Sequence, residues 1–243
     1  EELKDYAEDS IPVLLENGKI AGIITAQDIV EAVDDEMGED YAKLAGLTSE
    51  EDLNESTLLS MKKRLPWLII LLFLGMGVSS VVGIFEEVVA VLPVVMCFQS
   101  LILDMAGNVG TQSLAVTIRV LMDENLTVAQ KLKLVVKEMK TGFLNGVCLA
   151  VMSFLFLGLY IHFFRKYDIG HSFLIAACVG VSLIVAMVIS SLVGTVIPIF
   201  FKKIKVDPAV ASGPLITTVN DLVAVVVYYG LTWIFLINML HIA

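Results

Sequence analysis

Apolar stretches of about 20 residues recur along this chain, and charged segments separate them. That length matches a hydrocarbon core of roughly 30 Å. A backbone in lipid must satisfy its own hydrogen bonds, so each run is expected to be a helix. Five spans are predicted, at about 66–86, 88–121, 138–164, 172–201 and 208–242. Several exceed a perpendicular crossing and must tilt or project beyond the hydrocarbon. The composition agrees: 57% of residues are hydrophobic and 17% charged, against roughly 45–50% and 25% in soluble domains.

Charge divides the chain in two. Before Met61 there are 17 acids against three lysines (−14), and the remainder holds nine acids against 13 Lys+Arg (+4). An acidic head therefore precedes a weakly basic membrane body. The predicted units are a soluble segment 1–46, a connecting helix 47–65 and a membrane domain 66–243. Basic residues fix the expected orientation. Lys62, Lys63 and Arg64 precede the first span. Arg119, Lys131, Lys133, Lys137 and Lys140 lie between the second and third, and Lys202, Lys203 and Lys205 between the fourth and fifth. Only Arg165 and Lys166 fall on the other side. The head is thus expected in the cytoplasm and the C-terminus outside, in a multi-pass protein of the plasma (inner) membrane. The chain begins at Glu1 without Met or a signal peptide, as expected of a piece of a longer protein. Nucleic acid is not an expected partner.

In the head, two apolar strands flank Asn17-Gly18, a strong hairpin signal. Thr25 is placed to cap a helix running to about Met37, with a second helix over 38–45. Thr48 and Glu51 have capping-box spacing for the connecting helix, which reaches the membrane at Pro66-Trp67. Cys97, Cys148 and Cys178 are scattered in apolar segments and read as small buried residues. His162, His171 and His241 have no metal-site spacing and read as interface residues.

The polar residues inside the apolar runs are the informative ones. Asp221 interrupts a run from Ala209 to Ile242 that holds no other charged or basic side chain but His241. An acid in such a place costs at least a few kcal/mol and survives where it faces a bundle interior or a watery path. The second span carries Gln99, Asp104, Gly107, Asn108, Thr111 and Gln112, and the fifth carries Ser212, Pro214, Thr217, Thr218 and Asn220. Pro214 is expected to free a carbonyl near Val210. Carboxylate, amide, hydroxyl and carbonyl oxygens are hard ligands that suit Mg²⁺ and its tightly held water. The same side chains also serve as polar glue between helices. Asp104 either lines a path or holds neighbouring backbone.

Three segments resemble the MgtE family of magnesium channels and transporters. Arg64-Leu-Pro-Trp67 leading into Gly75-Met-Gly77 is similar to the family's first helix. Asp104-Met-Ala-Gly107-Asn108-Val-Gly110-Thr-Gln112 resembles its GGN-x-G-x-Q signature, with Ala106 in place of the usual Gly. Val206-Asp207-Pro208 followed by Thr217-Thr-Val-Asn-Asp221 resembles its fifth helix. The resemblance covers essentially the whole chain. It implies an all-α membrane protein of five transmembrane helices, preceded by a partial α/β CBS-like segment and a connecting (plug) helix. It also implies a homodimer in the bilayer, with a pore lined by the second and fifth helices. Pore residues would be Asp221, Asn108, Gly107, Thr217 and Asp104. Two Asp221 carboxylates across a two-fold axis would face one Mg²⁺. Such a protein is not an enzyme.

Gly22-Ile-Ile-Thr25-Ala-Gln-Asp28 matches the G-h-x-[ST]-x-x-D pattern of a CBS half. A complete CBS pair is needed to hold a nucleotide, so ATP is not expected to bind; Thr25 and Asp28 read as a helix cap and first-turn acid. The acids Asp34, Asp35, Glu36, Glu39, Asp40, Glu50, Glu51, Asp52 and Glu55 could be a solvated face. The resemblance instead implies cytosolic Mg²⁺ sensing by Asp35, Glu39 and Asp40, with Glu138 and Asp207 at cytoplasmic helix ends. The ion would then bridge repelling acids and close the pore. Two rival readings have different consequences. An ion-coupled exchanger of Mg²⁺ or Co²⁺ would use the same oxygens. An intramembrane aspartyl protease would use Asp104 and Asp221, but neither lies in its G-x-G-D context. Composition leaves the choice among Mg²⁺, Mn²⁺, Co²⁺ and Ni²⁺ open.

Overall fold

The computed structural model describes residues 10–49, 53–122 and 126–239. The head begins with a hairpin of β1 (Ser10–Leu14) and β2 (Ile20–Thr25), paired antiparallel with Ser10 opposite Thr25. Gly18 takes φ +78°, and its N–H donates to the Leu15 carbonyl at 2.8 Å, closing the turn at the expected Asn-Gly. Thr25 then caps α1 (Ala26–Leu44) in a reciprocal capping box with Asp28. The two helices expected over 26–45 are one, because no residue between Met37 and Glu39 breaks the ladder. Helix α1 ends in a Schellman motif: Gly46, at φ +82°, donates to Lys43 and Leu47 donates to Ala42.

Helix α2 (Thr57–Ile84) runs unbroken through Pro66 and so joins the connecting segment to the first span. Among the described residues the helix that reaches the membrane has Ser56, not Thr48, at its N-cap position. The Thr48 N–H and hydroxyl instead donate to the Lys63 carbonyl, 3.2 Å away in each case. Glu51, the expected partner of Thr48, lies outside the described residues, as do Glu50, Asp52 and His241. A short α3 (Glu86–Val91) and a 3-10 turn at Pro93–Val95 precede α4 (Met96–Leu121). Then come α5 (Val128–Arg165), α6 (Ile169–Lys203), a 3-10 turn at Pro208–Val210 and α7 (Gly213–Leu231). A π-helical stretch, Thr232–Met239, continues α7. Five of these helices are long and apolar enough to span a membrane.

Helix α6 is the hub and packs on α4, α5 and α7. Its composition explains this: small residues occur on every side, and 15 of its residues are buried. The core joins Phe98, Ile102 and Ala106 of α4 to Val179, Leu183 and Ala186 of α6 and to Ala224, Val225 and Tyr228 of α7. Helix α4 meets α6 backbone to backbone. A Cβ placed on Gly194 would lie 2.2 Å from the Gly110 carbonyl oxygen. Helix α2, in contrast, buries none of its residues and reaches the other spans mainly through α7.

Replacing Gly194 by Ala forces α4 and α6 apart and is expected to destabilise the bundle by about 1–3 kcal/mol or more. Gly77, with nothing within 4 Å of its added Cβ, is the control. Thermal unfolding in detergent should separate Gly194→Ala from an unchanged Gly77→Ala.

Candidate functional site

Two helices carry the polar residues, and they run antiparallel against each other. Tyr228 and Tyr229 of α7 anchor one end, donating to the Val95 carbonyl at 2.8 Å and to Gln99 Oε1 at 2.6 Å. At the other end the first turn of α7 passes Thr111, whose methyl would lie 3.7 Å from a Cβ on Gly213. Between these points Gly107 abuts Thr217, with an added Cβ only 3.0 Å from its Cγ2. Two of the expected site residues are thus brought into contact.

The opposite flank of α4 is unlike a lipid-facing surface. Asp104, Asn108 and Gln112 recur at i, i+4 and i+8, so they share one face. All three are exposed on the single chain, while Ala106, Gly107, Val109 and Gly110 are buried. Asn108 Nδ2 donates to Asp104 Oδ1 at 3.1 Å. Thr111 turns its hydroxyl back to the Gly107 and Asn108 carbonyls, at 3.2 and 2.9 Å.

Asp221 is half-buried on α7, one turn beyond Thr217. Among the described residues no hydrogen bond or ion pair ties it to Asp104 or Asn108. Helix α7 begins later than the sequence suggests, because Asp207 caps the Pro208–Val210 turn and Ser212 then caps the helix. Asp221 therefore sits about 12 Å into the helix, at roughly 1.5 Å per residue, close to the middle of Gly213–Leu231 and on the α1 side of the middle of the span that runs on to Met239. Pro214 falls in the first turn, where the N–H it lacks would have had no partner within the helix, so it breaks no hydrogen bond inside α7.

Sequence reasoning passes over Asn220 as a site residue. It is completely buried, and neither its amide nitrogen nor its oxygen finds a partner among the described residues. Its amide fills the notch left by Gly110, where an added Cβ would lie 1.8 Å away. An unpaired buried amide costs about 1–3 kcal/mol. The i+3 spacing from Thr217 is the sequence signal that could have marked it, since both residues meet α4.

The expected sensing acids separate into two places. Glu138 is buried, 6% exposed, and accepts a hydrogen bond from Ser113 Oγ of α4 at 3.0 Å. It is not at a helix end. A Thr127–Gln130 capping box starts α5 ten residues earlier, at Val128. Asp207, Glu39 and Asp40 instead gather where α1 meets the bundle. Lys43 Nζ donates to Asp207 Oδ2 at 2.9 Å and lies 3.4 Å from Glu39 Oε2. The pair with Asp207 holds the Lys43 ammonium above its ordinary range. Burial, and then the Asp207 charge, push the Asp40 carboxyl upward. Asp35 is exposed one turn earlier on α1. Their oxygens suit a divalent cation. Yet among the described residues no three His, Cys, Asp or Glu side chains converge as a metal site in one chain.

A carboxyl with a raised folded-state pKa binds its proton more tightly in the fold, so stability falls as pH rises through that range. Asp40→Asn removes this loss. Its unfolding midpoint should exceed the parent's at neutral pH and converge with it near about pH 4, where an ordinary carboxyl is half protonated.

Known proteins match this chain in sequence. The profile of the family described as "MgtE: Divalent cation transporter" matches residues 99–231, from the start of α4 to the end of α7. The chain is 36% identical over 234 residues to "Magnesium transporter MgtE" of Enterococcus faecalis, covering 96% of this chain and 49% of that protein. The namesake of Bacillus subtilis is 36% identical over 231 residues, 93% of this chain and 48% of its own. That of Thermus thermophilus is 33% identical over 229 residues, again 93% and 48%. The chain spans about half the length of the curated relatives it matches. The family's description is of transporters, not enzymes. The chain belongs to the MgtE family of divalent cation transporters.

Proposed function

We propose that the protein admits Mg²⁺ across a membrane through a pore between two copies of the chain, lined by α4 and α7. The observation that carries this reading is the flank of α4. Asp104, Asn108 and Gln112 are exposed partway along a spanning helix whose other side is buried. Polar and ionised side chains do not face lipid without cost. A second copy across a two-fold axis would turn that flank toward a shared interior. Helix α2, which has no fully buried residue, offers further surface for such a homodimer.

Within the pore, paired Asp221 carboxylates would bring −2 opposite a +2 ion, with Thr217, Gly107, Asn108 and Asp104 beside them. A carboxylate that meets the ion through retained water avoids the cost of stripping Mg²⁺. The charge pairing favours divalent over monovalent cations. With the acidic head in the cytoplasm and the C-terminus outside, a plasma-membrane potential would draw the dication inward by about 2 × 2.3 kcal/mol per 100 mV.

Regulation is part of the same reading. The head, a partial CBS-like segment, would sense cytosolic Mg²⁺ through Glu39, Asp40 and Asp207 at the α1 joint, with Asp35 on the same helix. The connecting stretch at the start of α2 would act as the plug. Glu138, buried against Ser113, supports the helix packing at that end and is the weaker candidate for a ligand. An ion-coupled exchanger of Mg²⁺ or Co²⁺ is the alternative use of the same residues.

Asp221→Ala is expected to abolish Mg²⁺ uptake in expressing cells at unchanged membrane abundance. Retained uptake would remove Asp221 from the path. Currents that reverse at the Mg²⁺ equilibrium potential would support a channel, and reversal shifted by a second ion would support the exchanger. Uptake should also fall as internal Mg²⁺ rises from micromolar to millimolar; a flat response would leave the protein without this switch.

A further inference from the structure

Helix α5 carries a face that neither the bundle nor the proposed pore uses. Lys133, Lys137, Lys140, Leu144, Val147 and Val151 follow one another at alternating steps of four and three, so they form one stripe along the helix. The basic part of the stripe is uniformly positive. All three lysines are exposed, and none makes an ion pair among the described residues. The one acid of α5, Glu138, is turned inward to Ser113.

The apolar part of the stripe is one wall of a groove of about 300 Å³ between α5 and α6. Ala177, Gly180 and Ile184 of α6 form the other wall, and every lining residue is apolar. Small residues create this groove. A Cβ on Gly180 would lie 3.2 Å from the Ala150 carbonyl oxygen, and one on Gly146 would lie 2.9 Å from the Ile184 Cα. The two backbones therefore approach closely enough to floor it. Phe154, the next step of the stripe, stands at the end away from the lysines, where its ring meets Phe173 edge to face at 5.0 Å between centroids. From Lys140 to Val151 the axis runs about 16 Å at roughly 1.5 Å per residue. That is close to half of a hydrocarbon core of roughly 30 Å, so the lysines and the groove belong to one leaflet.

We propose that this stripe is a binding site for one anionic phospholipid of the leaflet on the lysine side. The lipid's phosphate sits among Lys133, Lys137 and Lys140, and one acyl chain lies in the α5–α6 groove. The charge selects the headgroup, because a negative leaflet surface attracts lysines at the membrane edge. Their stems lie along apolar surface while the ammonium groups stay at headgroup level. The groove adds what a basic patch alone lacks, a place for the chain that the phosphate carries. A second protein chain fits this face less well. Helix α5 packs almost entirely on α6, and the exposed polar flank that calls for a partner is on α4. Because α6 is the hub of the bundle, a chain seated in the groove would clamp α5 to it.

The test reads binding, without transport. The purified protein, stripped of lipid in a neutral detergent, is titrated with phosphatidylglycerol or with phosphatidylcholine of the same acyl chains. Bound lipid is counted by native mass spectrometry, and thermal unfolding is followed in parallel. Phosphatidylglycerol should be retained at one lipid per chain and raise the unfolding midpoint, and phosphatidylcholine should do neither. Lys137→Gln with Lys140→Gln should weaken phosphatidylglycerol binding by roughly 25-fold, about fivefold for each lysine. Lys131→Gln removes the same charge off the stripe and should bind like the parent, as should Lys140→Arg. Ala177→Phe fills the groove and should abolish retention with every lysine in place. Equal retention of the two lipids would overturn the proposal, as would a Lys131→Gln defect equal to that of Lys140→Gln, or a groove filled without effect. Inorganic phosphate that stabilises as well as the lipid would overturn it too. So would lysine variants that split an oligomer while lipid retention is unchanged, since the stripe would then be an interface between copies.

Discussion

The approach of α4 to α6 at Gly110 and Gly194 sets the rest of the bundle. Neither position has room for a methyl group, so the two backbones touch. Lipid tails are as apolar as leucine, so helices in a bilayer gain from such contact rather than from escaping water. Once α4 and α6 are in register, the notch at Gly110 accepts the Asn220 amide and Gly107 accepts Thr217. These two contacts fix how α7 is turned about its axis, and hence where Asp221 points. The family match spans this same set of helices.

The joint also divides α4 into two unlike sides. Its small residues are consumed by packing, and its amides and acid are left on the outside of the single chain. A soluble protein could leave that flank to water. A spanning helix has no such option, and the proposed pore between two copies is the reading that gives this flank a polar surrounding. Asn220 shows the complementary case, an amide turned inward with no hydrogen-bond partner among the described residues, whose shape fills the notch at Gly110.

Much of this is legible from the residues. The Asn17-Gly18 turn, the Thr25–Asp28 cap and five spanning helices all follow from local rules, and the structure has them. Helix ends are less legible. Hydropathy marks where a segment meets lipid, not where its hydrogen bonds stop, so α5 begins ten residues before its expected start and draws Glu138 into the packed interior. Capping chemistry moves the start of α7 the other way, to Gly213, and with it the depth of Asp221. Thr48 has the spacing of a cap, and its hydroxyl bonds to the Lys63 carbonyl, 15 residues further along the connecting segment. The Lys43–Asp207 pair joins residues 164 positions apart, and no local pattern announces a contact of that range.

Helix α2 carries a mechanical consequence. It is a single rod of 28 residues, about 42 Å long at 1.5 Å per residue. None of its side chains is fully buried, and it touches the spanning bundle chiefly at α7. Its Trp67 meets the same Gly46 elbow that rests on Pro214. A rod so placed acts as a crank, because little besides α7 resists its tilt. Any torque from the head is delivered to a single axle, and the tightly meshed α4–α6 pair serves as its bearing.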